Sequence, residues 1–216
     1  MSGQLWQEAR FAKPDQMIGN EPARMMLSMI DSGFVLIEGP VGCGKTTLAL
    51  AYVRERFGVA LEEQQSRYQP DEYLVQHVFA GDFDLTDSTK RRFWFYDEVP
   101  VCIIVDEAHL LYEKRQQARL KVIPSRANLT LILVTSEPEQ LEKSIRDRCS
   151  RVRLGPLALE DLKPMVERAC SFRDVKCTPE LLRALNRAQV FRPRAILNVV
   201  DAVARGVPVE SAVVGQ

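Results

Sequence analysis

The residues best placed to do chemistry are Gly39-Pro40-Val41-Gly42-Cys43-Gly44-Lys45-Thr46, which fill every required position of the pattern G-x-x-x-x-G-K-[ST]. Glycines at these spacings let successive backbone N–H groups turn inward around phosphate oxygens. Lys45 adds a positive charge at the β- and γ-phosphates. The Thr46 hydroxyl can ligate Mg²⁺, and Thr47 follows it in the first turn of a helix whose positive end faces the anion. A second motif is Val101-Cys-Ile-Ile-Val-Asp106-Glu107-Ala-His109. Its apolar run reads as a buried strand, and its two carboxylates sit at the strand's C-terminal end, where ligands bind in open α/β sheets. Asp106 is assigned to the Mg²⁺ shell and Glu107 to general-base activation of water. His109 reads as a first-turn helix residue. The chemistry pointed to is hydrolysis of a Mg²⁺-bound nucleotide.

These residues need a scaffold, and the hydrophobic pattern supplies one. Short apolar runs at 34–38, 73–79, 101–105, 129–135 and 151–154 read as strands. Segments 45–56, 85–96, 108–122 and 138–148 read as helices, the last two shaped by Pro124 and Pro138. The polar stretch 62–72 reads as a loop or a frayed helix. Alternation of strand and helix implies a mainly parallel sheet. After Gly155-Pro156 the pattern changes to three helices, at 159–172, 179–189 and 194–205. The reading is therefore an α/β nucleotide-binding domain over residues 1–155 and a small helical lid over 156–216.

Composition narrows the classes. The chain has 216 residues, with 29 basic and 29 acidic side chains and a formal net charge of zero. No global positive field draws it to nucleic acid, so DNA contact has to be local or shared between subunits. The five cysteines, Cys43, Cys102, Cys149, Cys170 and Cys177, form no C-x-x-C pair, which argues against a disulfide framework or a structural zinc site. The N-terminal residues lack an apolar signal core, and no apolar run approaches the ~20 residues of a membrane span. The expectation is a cytoplasmic protein of a bacterial or phage-infected cell.

Taken with a third motif, these residues resemble the AAA+ ATPases, specifically the clamp-loader group (replication factor C and DNA polymerase III tau-gamma). The third motif is Leu133-Val-Thr135-Ser136-Glu137-Pro138-Glu-Gln-Leu141-Glu-Lys-Ser-Ile145-Arg-Asp147-Arg148-Cys149, with Asp147 where the group has Ser. Gln116-Gln-Ala-Arg-Leu120-Lys121 is similar to the group's helix after the acidic motif. Arg192-Pro-Arg194-Ala-Ile-Leu197-Asn198 is similar to its lid motif. Pro14 and Ile18-Gly19-Asn20-Glu21 look like its adenine-contacting segment. The resemblance covers about residues 10–205. It implies a P-loop NTPase fold with a parallel five-stranded sheet in the order 5-1-4-3-2 plus the lid. It implies that Thr135 or Ser136 senses the γ-phosphate, that Arg148 is an arginine finger reaching a neighbouring subunit's ATP, and that Arg194 is the lid sensor. Ile18 would contact the base. Implied partners are further copies or related AAA+ subunits, DNA, and a sliding clamp, helicase or transposase. Lys90, Arg91 and Arg92 are candidate DNA contacts.

The departures define the alternatives. The chain ends soon after the lid, without the group's helical collar, which weakens the expectation of a preassembled ring. The four-cysteine zinc module of the bacterial group is missing from 57–73. Phe79 stands where a polar residue often restrains the catalytic glutamate. Asp-Glu-Ala-His also occurs in two-lobed helicases, but 216 residues do not hold two lobes. A non-hydrolysing subunit conflicts with intact Lys45, Thr46, Asp106 and Glu107. The main alternative is a compact AAA+ regulator or loader in DNA transposition or helicase loading.

Overall fold

In a computed structural model, residues 11, 13–69, 72–83, 99–111 and 114–214 are described. The centre is a six-stranded sheet. Its strands are β1 (Gly33–Glu38), β2 (Ser66–Gln69), β3 (Tyr73–Phe79), β4 (Val101–Asp106), β5 (Leu129–Thr135) and β6 (Ser150–Arg153). They lie in the order β2-β3-β4-β5-β1-β6. The five strands read from the sequence occur in the predicted order, all parallel.

One strand was not expected. β2 lies in the stretch read as a loop or frayed helix, and it pairs antiparallel with β3. The sheet is therefore mixed and six-stranded. All four β2 side chains are exposed, so the strand has no alternating apolar signal. It forms because the outer edge of β3 offers unpaired N–H and C=O groups.

The helices are α1 (Glu21–Ser28), α2 (Lys45–Phe57), α3 (Lys114–Val122), α4 (Lys143–Arg146), α5 (Leu159–Ser171), α6 (Pro179–Arg187), α7 (Pro193–Ala204) and α8 (Val209–Val214). β1, β4 and β5 are buried on both faces, and their parity divides the core into two layers. Val35, Ile37, Cys102, Ile104, Ile132 and Val134 pack with Leu48, Ala49 and Tyr52 of α2. Phe34, Leu36, Ile103, Val105, Leu131 and Leu133 pack on the other face with Leu120, Leu141 and Ile145. Successive strand residues point to opposite faces, so each apolar run supplies both layers.

Two predicted helices are interrupted. The 108–122 segment begins as a one-turn 3₁₀ helix, Ala108–Leu110, that stops at Leu111 (φ −72°, ψ 62°), and α3 begins at Lys114. The 138–148 segment divides into a 3₁₀ turn, Pro138–Gln140, and α4. Buried Leu141 is extended between them (φ −78°, ψ 138°). There the Glu142 N–H donates to the Gln117 side-chain oxygen at 2.8 Å instead of to a helical carbonyl. The helix expected over 85–96, which includes Lys90, Arg91 and Arg92, lies outside the described residues.

After Gly155 the helices pack around a core of their own, built from Leu162, Met165, Val166, Leu181, Leu185, Ile196, Val199 and Val200. A fourth helix, α8, adds Ala212 and Val213 to the three that were expected. The junction is pinned by Asn20. Its amide donates to the Gly155 carbonyl at 3.1 Å, and its oxygen accepts from the Gly155 N–H at 2.7 Å.

Candidate nucleotide site

The loop between β1 and α2 sets the site. Gly39 has φ +150°, and a Cβ there would lie 2.2 Å from the Leu154 carbonyl oxygen, so only glycine lets the loop leave the sheet beside β6. Gly42 has φ +82°, and its missing Cβ leaves room for Arg194, whose own Cβ would stand 3.1 Å away. Beneath the loop, the nearly buried Glu38 carboxylate is held by Arg151 at 2.7 Å and by Arg153. Burial alone would raise its pKa. The two guanidinium groups outweigh that and hold it below the ordinary glutamate value.

The first turn of α2 holds no acidic residue, and no side-chain cap bonds its N-terminus. Its free N–H groups and positive dipole end therefore face the cleft. Lys45 is nearly buried, and its Nζ donates to the carbonyls of Gly39 and Pro40 at 2.8 and 2.9 Å. Burial lowers its pKa, with Glu107 and Asp106 acting in the opposite direction. Thr46 Oγ1 donates to Asp106 Oδ2 at 2.8 Å. Burial also works to raise the pKa of Asp106, but hydrogen bonds from His77 and Thr46 prevail, and it lies below the ordinary aspartate value. Asp106 is thus an ionised carboxylate beside a hydroxyl, the donor set a Mg²⁺–phosphate pair takes. An uncapped helix start, a nearly buried ammonium and this pair together fit a Mg²⁺–nucleotide.

The cleft is lined by Val41, Gly42, Gly44, Lys45, Thr46, Thr47, Glu63, Glu107, Pro193, Arg194 and Leu197. Cys43 turns inward, 1% exposed in the core, so it offers the cleft backbone only. The lid docks directly on the loop: the Arg194 N–H donates to the Gly42 carbonyl at 3.2 Å. Ile18 packs against the lid core, and its neighbour Met17 against the α2 layer.

Glu107 follows β4 in a left-handed conformation (φ 52°, ψ 43°), uncommon for a residue with a Cβ. Its N–H donates to Asp106 Oδ1 at 2.9 Å, which turns the side chain out of the strand. One carboxylate oxygen lies 3.4 Å from His109 Nδ1. The same nitrogen is 3.2 Å from Thr135 Oγ1, and Nε2 is 3.7 Å from Glu137. His109 sits in the one-turn helix, but buried, between the catalytic candidate and the sensor candidate. Thr135 is fully buried, and its hydroxyl accepts the Glu137 N–H at 3.0 Å. Ser136 follows it, half-buried, at the strand end.

Arg148 is not brought to this cleft. Its guanidinium donates to the carbonyls of Leu120 (3.4 Å), Lys121 (3.3 Å) and Ile123, and to Ser125 Oγ at 3.0 Å. It stacks 3.8 Å over the Phe34 ring. It therefore closes the C-terminal end of α3, where a cation is favoured. Gln117 ties the same helix to the loop after β5, donating to the carbonyls of Leu111 (3.0 Å) and Gln140 (3.2 Å).

Two residues at the site escaped the sequence reading: Glu63, which lines the cleft, and His77, buried against Asp106. Glu63 precedes the unexpected strand β2. His77 shares the parity of Phe79, which pairs with Asp106. That parity on a neighbouring strand was the available signal.

Residues 35–157 match the model of the ATPase family associated with various cellular activities (AAA). The chain is 25% identical over 172 residues to the replication factor C large subunit of Methanothrix thermoacetophila, covering 80% of this chain and 36% of that protein. The subunit of Thermofilum pendens is 23% identical over 215 residues, covering 93% and 50%. The chain thus spans between about a third and half of the length of these curated relatives. In fold it is similar to the Holliday junction branch migration motor RuvB of Thermotoga maritima, with TM-score 0.65 and 21% identity over 96% of this chain and 71% of that one. It is also similar to domain III of the replication initiation protein DnaA from the same organism, with TM-score 0.63 and 16% identity over 94% of each. With the family model matching more than half of its residues around this cleft, the chain belongs to the AAA family of ATPases.

Proposed function

We propose that this chain hydrolyses ATP as one subunit of a clamp-loader-like assembly in DNA replication. The observation that carries the reading is the convergence of Lys45, Thr46, Glu107 and the lid's Arg194 on one cleft, with Asp106 hydrogen-bonded to Thr46 at its base. The loop N–H groups and the α2 N-terminus bind the phosphates, and Lys45 exchanges its loop carbonyls for phosphate oxygens. Thr46 and Asp106 hold Mg²⁺, which when bound neutralises charge on the β- and γ-oxygens. Glu107 accepts a proton from the attacking water. Arg194, on the lid, meets the γ-phosphate, so ATP draws the two parts of the chain together. Thr135, with His109, reports on that phosphate from the end of β5.

Arg148 acts in trans in this reading. It leaves the carbonyls of α3 when a neighbouring subunit offers its γ-phosphate, which links hydrolysis to assembly. The assembly then grips DNA or a ring-shaped partner in the cytoplasm and releases it on hydrolysis. Similarity to replication factor C large subunits supports the replication role. The test is ATP turnover with primed DNA, with and without a sliding clamp or a replicative helicase. Stimulation that needs primed DNA and clamp fits the proposal. Stimulation by duplex DNA alone, with filament formation, selects the transposition-type alternative. Stimulation only by helicase selects helicase loading.

A further inference from the structure

β3 carries one polar side chain that no solvent reaches. His77 is 0% exposed. A fully buried imidazole costs free energy unless its nitrogens have partners, and here both do. The Gln64 backbone N–H lies 2.9 Å from Nδ1. A backbone N–H can only donate, so Nδ1 is the acceptor and the proton of the neutral ring sits on Nε2. Nε2 then donates to Asp106 Oδ2 across 3.3 Å, the oxygen that also accepts from Thr46. The imidazole is a strut of fixed length between the metal-holding carboxylate and the turn that leads into β2.

That turn is held tightly. Gln64 is in the left-handed region (φ 56°) without being glycine. The His77 N–H also donates to the Gln65 carbonyl at 2.8 Å. Beside these anchors stands Glu63, which lines the cleft with Lys45, Thr46 and Glu107. The cleft therefore has a wall that the phosphate loop does not supply, and this wall carries a negative charge.

We propose that His77 is a positioning residue that sets Glu63 as a further carboxylate of the cleft, and that Glu63 makes nucleotide binding depend on the divalent cation. This rests on the nucleotide reading above. A triphosphate without metal meets the Glu63 charge across the cleft. The same triphosphate carrying Mg²⁺ meets it largely neutralised. Charge pairs near a protein surface are worth a three- to ten-fold effect, roughly, at moderate salt.

The test is a titration with N-methylanthraniloyl-ATP, in EDTA and in saturating Mg²⁺, read as the ratio of the two Kd values. Glu63→Gln is expected to lower that ratio about three- to ten-fold, through tighter binding in EDTA. His77→Gln places an amide N–H near Nε2, so it keeps the donor to Asp106 and gives up the acceptor for Gln64. It should lower the ratio as Glu63→Gln does, and the Gln64 amide should lose its hydrogen-exchange protection. His77→Asn places its oxygen near Nδ1. It should keep Gln64 protected and instead raise the Mg²⁺ concentration needed for half-maximal binding. An unchanged ratio in Glu63→Gln overturns the proposal. So does a His77→Gln protein that loses Gln64 protection yet keeps the wild-type ratio. Glu63 is on the cleft wall and not in the core, so its variant remains informative if the His77 variants fail to fold. Wild-type protein that binds the probe in neither condition removes the nucleotide reading itself and this proposal with it.

Discussion

Replacing Arg148 by alanine separates the docked role that the structure shows from the trans role proposed for it. In the isolated chain the guanidinium closes α3 through three carbonyls, bonds Ser125 and covers Phe34. A cation at a helix C-terminus contributes about 0.3–1 kcal/mol. Stacking on a phenyl ring adds about 0.5–1 kcal/mol. The carbonyl bonds add about 1 kcal/mol, since water takes over part of their role at this half-exposed end. The loss should total about 2 kcal/mol. For a chain of this length that corresponds to a fall of about 4–8 °C in Tm. Arg148→Lys keeps the charge without the fork and should lose about half as much. The trans role is read by mixing. Arg148→Ala binds ATP but offers no finger, whereas Lys45→Ala offers the finger but binds no ATP. Each alone should be inactive, and the mixture should recover turnover, because an arginine finger is worth about 10³–10⁵ in rate. A Tm within a degree of wild type would refute the docked geometry. A mixture as inactive as its components would refute the trans finger and leave Arg148 as a helix cap.

Other substitutions test the site more simply. Glu107→Gln should lower turnover about 10²–10⁴-fold while Mg²⁺–ATP binding persists, as measured by single-turnover hydrolysis and equilibrium binding. Gly39→Ala drives a methyl group into the Leu154 carbonyl. It should lose nucleotide binding and destabilise the fold by about 1–3 kcal/mol in urea denaturation. Glu38→Gln tests a pH dependence. The folded-state pKa of Glu38 is lowered, so its contribution is fully present above the unfolded value, near pH 4.3, and is lost as pH falls through the folded value. The variant should be less stable than wild type at pH 7, and the two unfolding curves should converge on acidification. Cys102 is fully buried, and its pKa is pushed up to about 12. It should resist alkylation at pH 8 in native protein and react once the chain is unfolded.

The phosphate loop, the acidic pair and the five parallel strands were legible because each is a local pattern with a physical cause. Runs such as Val101–Asp106 state their own burial, and the glycine spacing states its own turn. β2 was illegible because an exposed edge strand carries no apolar alternation. The breaks at Leu111 and Leu141 were illegible for a related reason. The residues suit a helix, and only the demands of Gln117 and the core beneath pull them out of one.

Amino-acid order alone determined the nucleotide chemistry, since the groups that cradle phosphate lie within eight consecutive residues and one strand end. Tertiary structure decided which other residues surround that site. His77, Gln64 and Glu63 become one unit only when β3 lies beside β4 and the turn folds over them. Arg148 becomes a helix cap only because α3 ends beneath it. Hydrogen bonds and charge act over a few ångströms of space, and the chain brings these residues within that range only after it has folded.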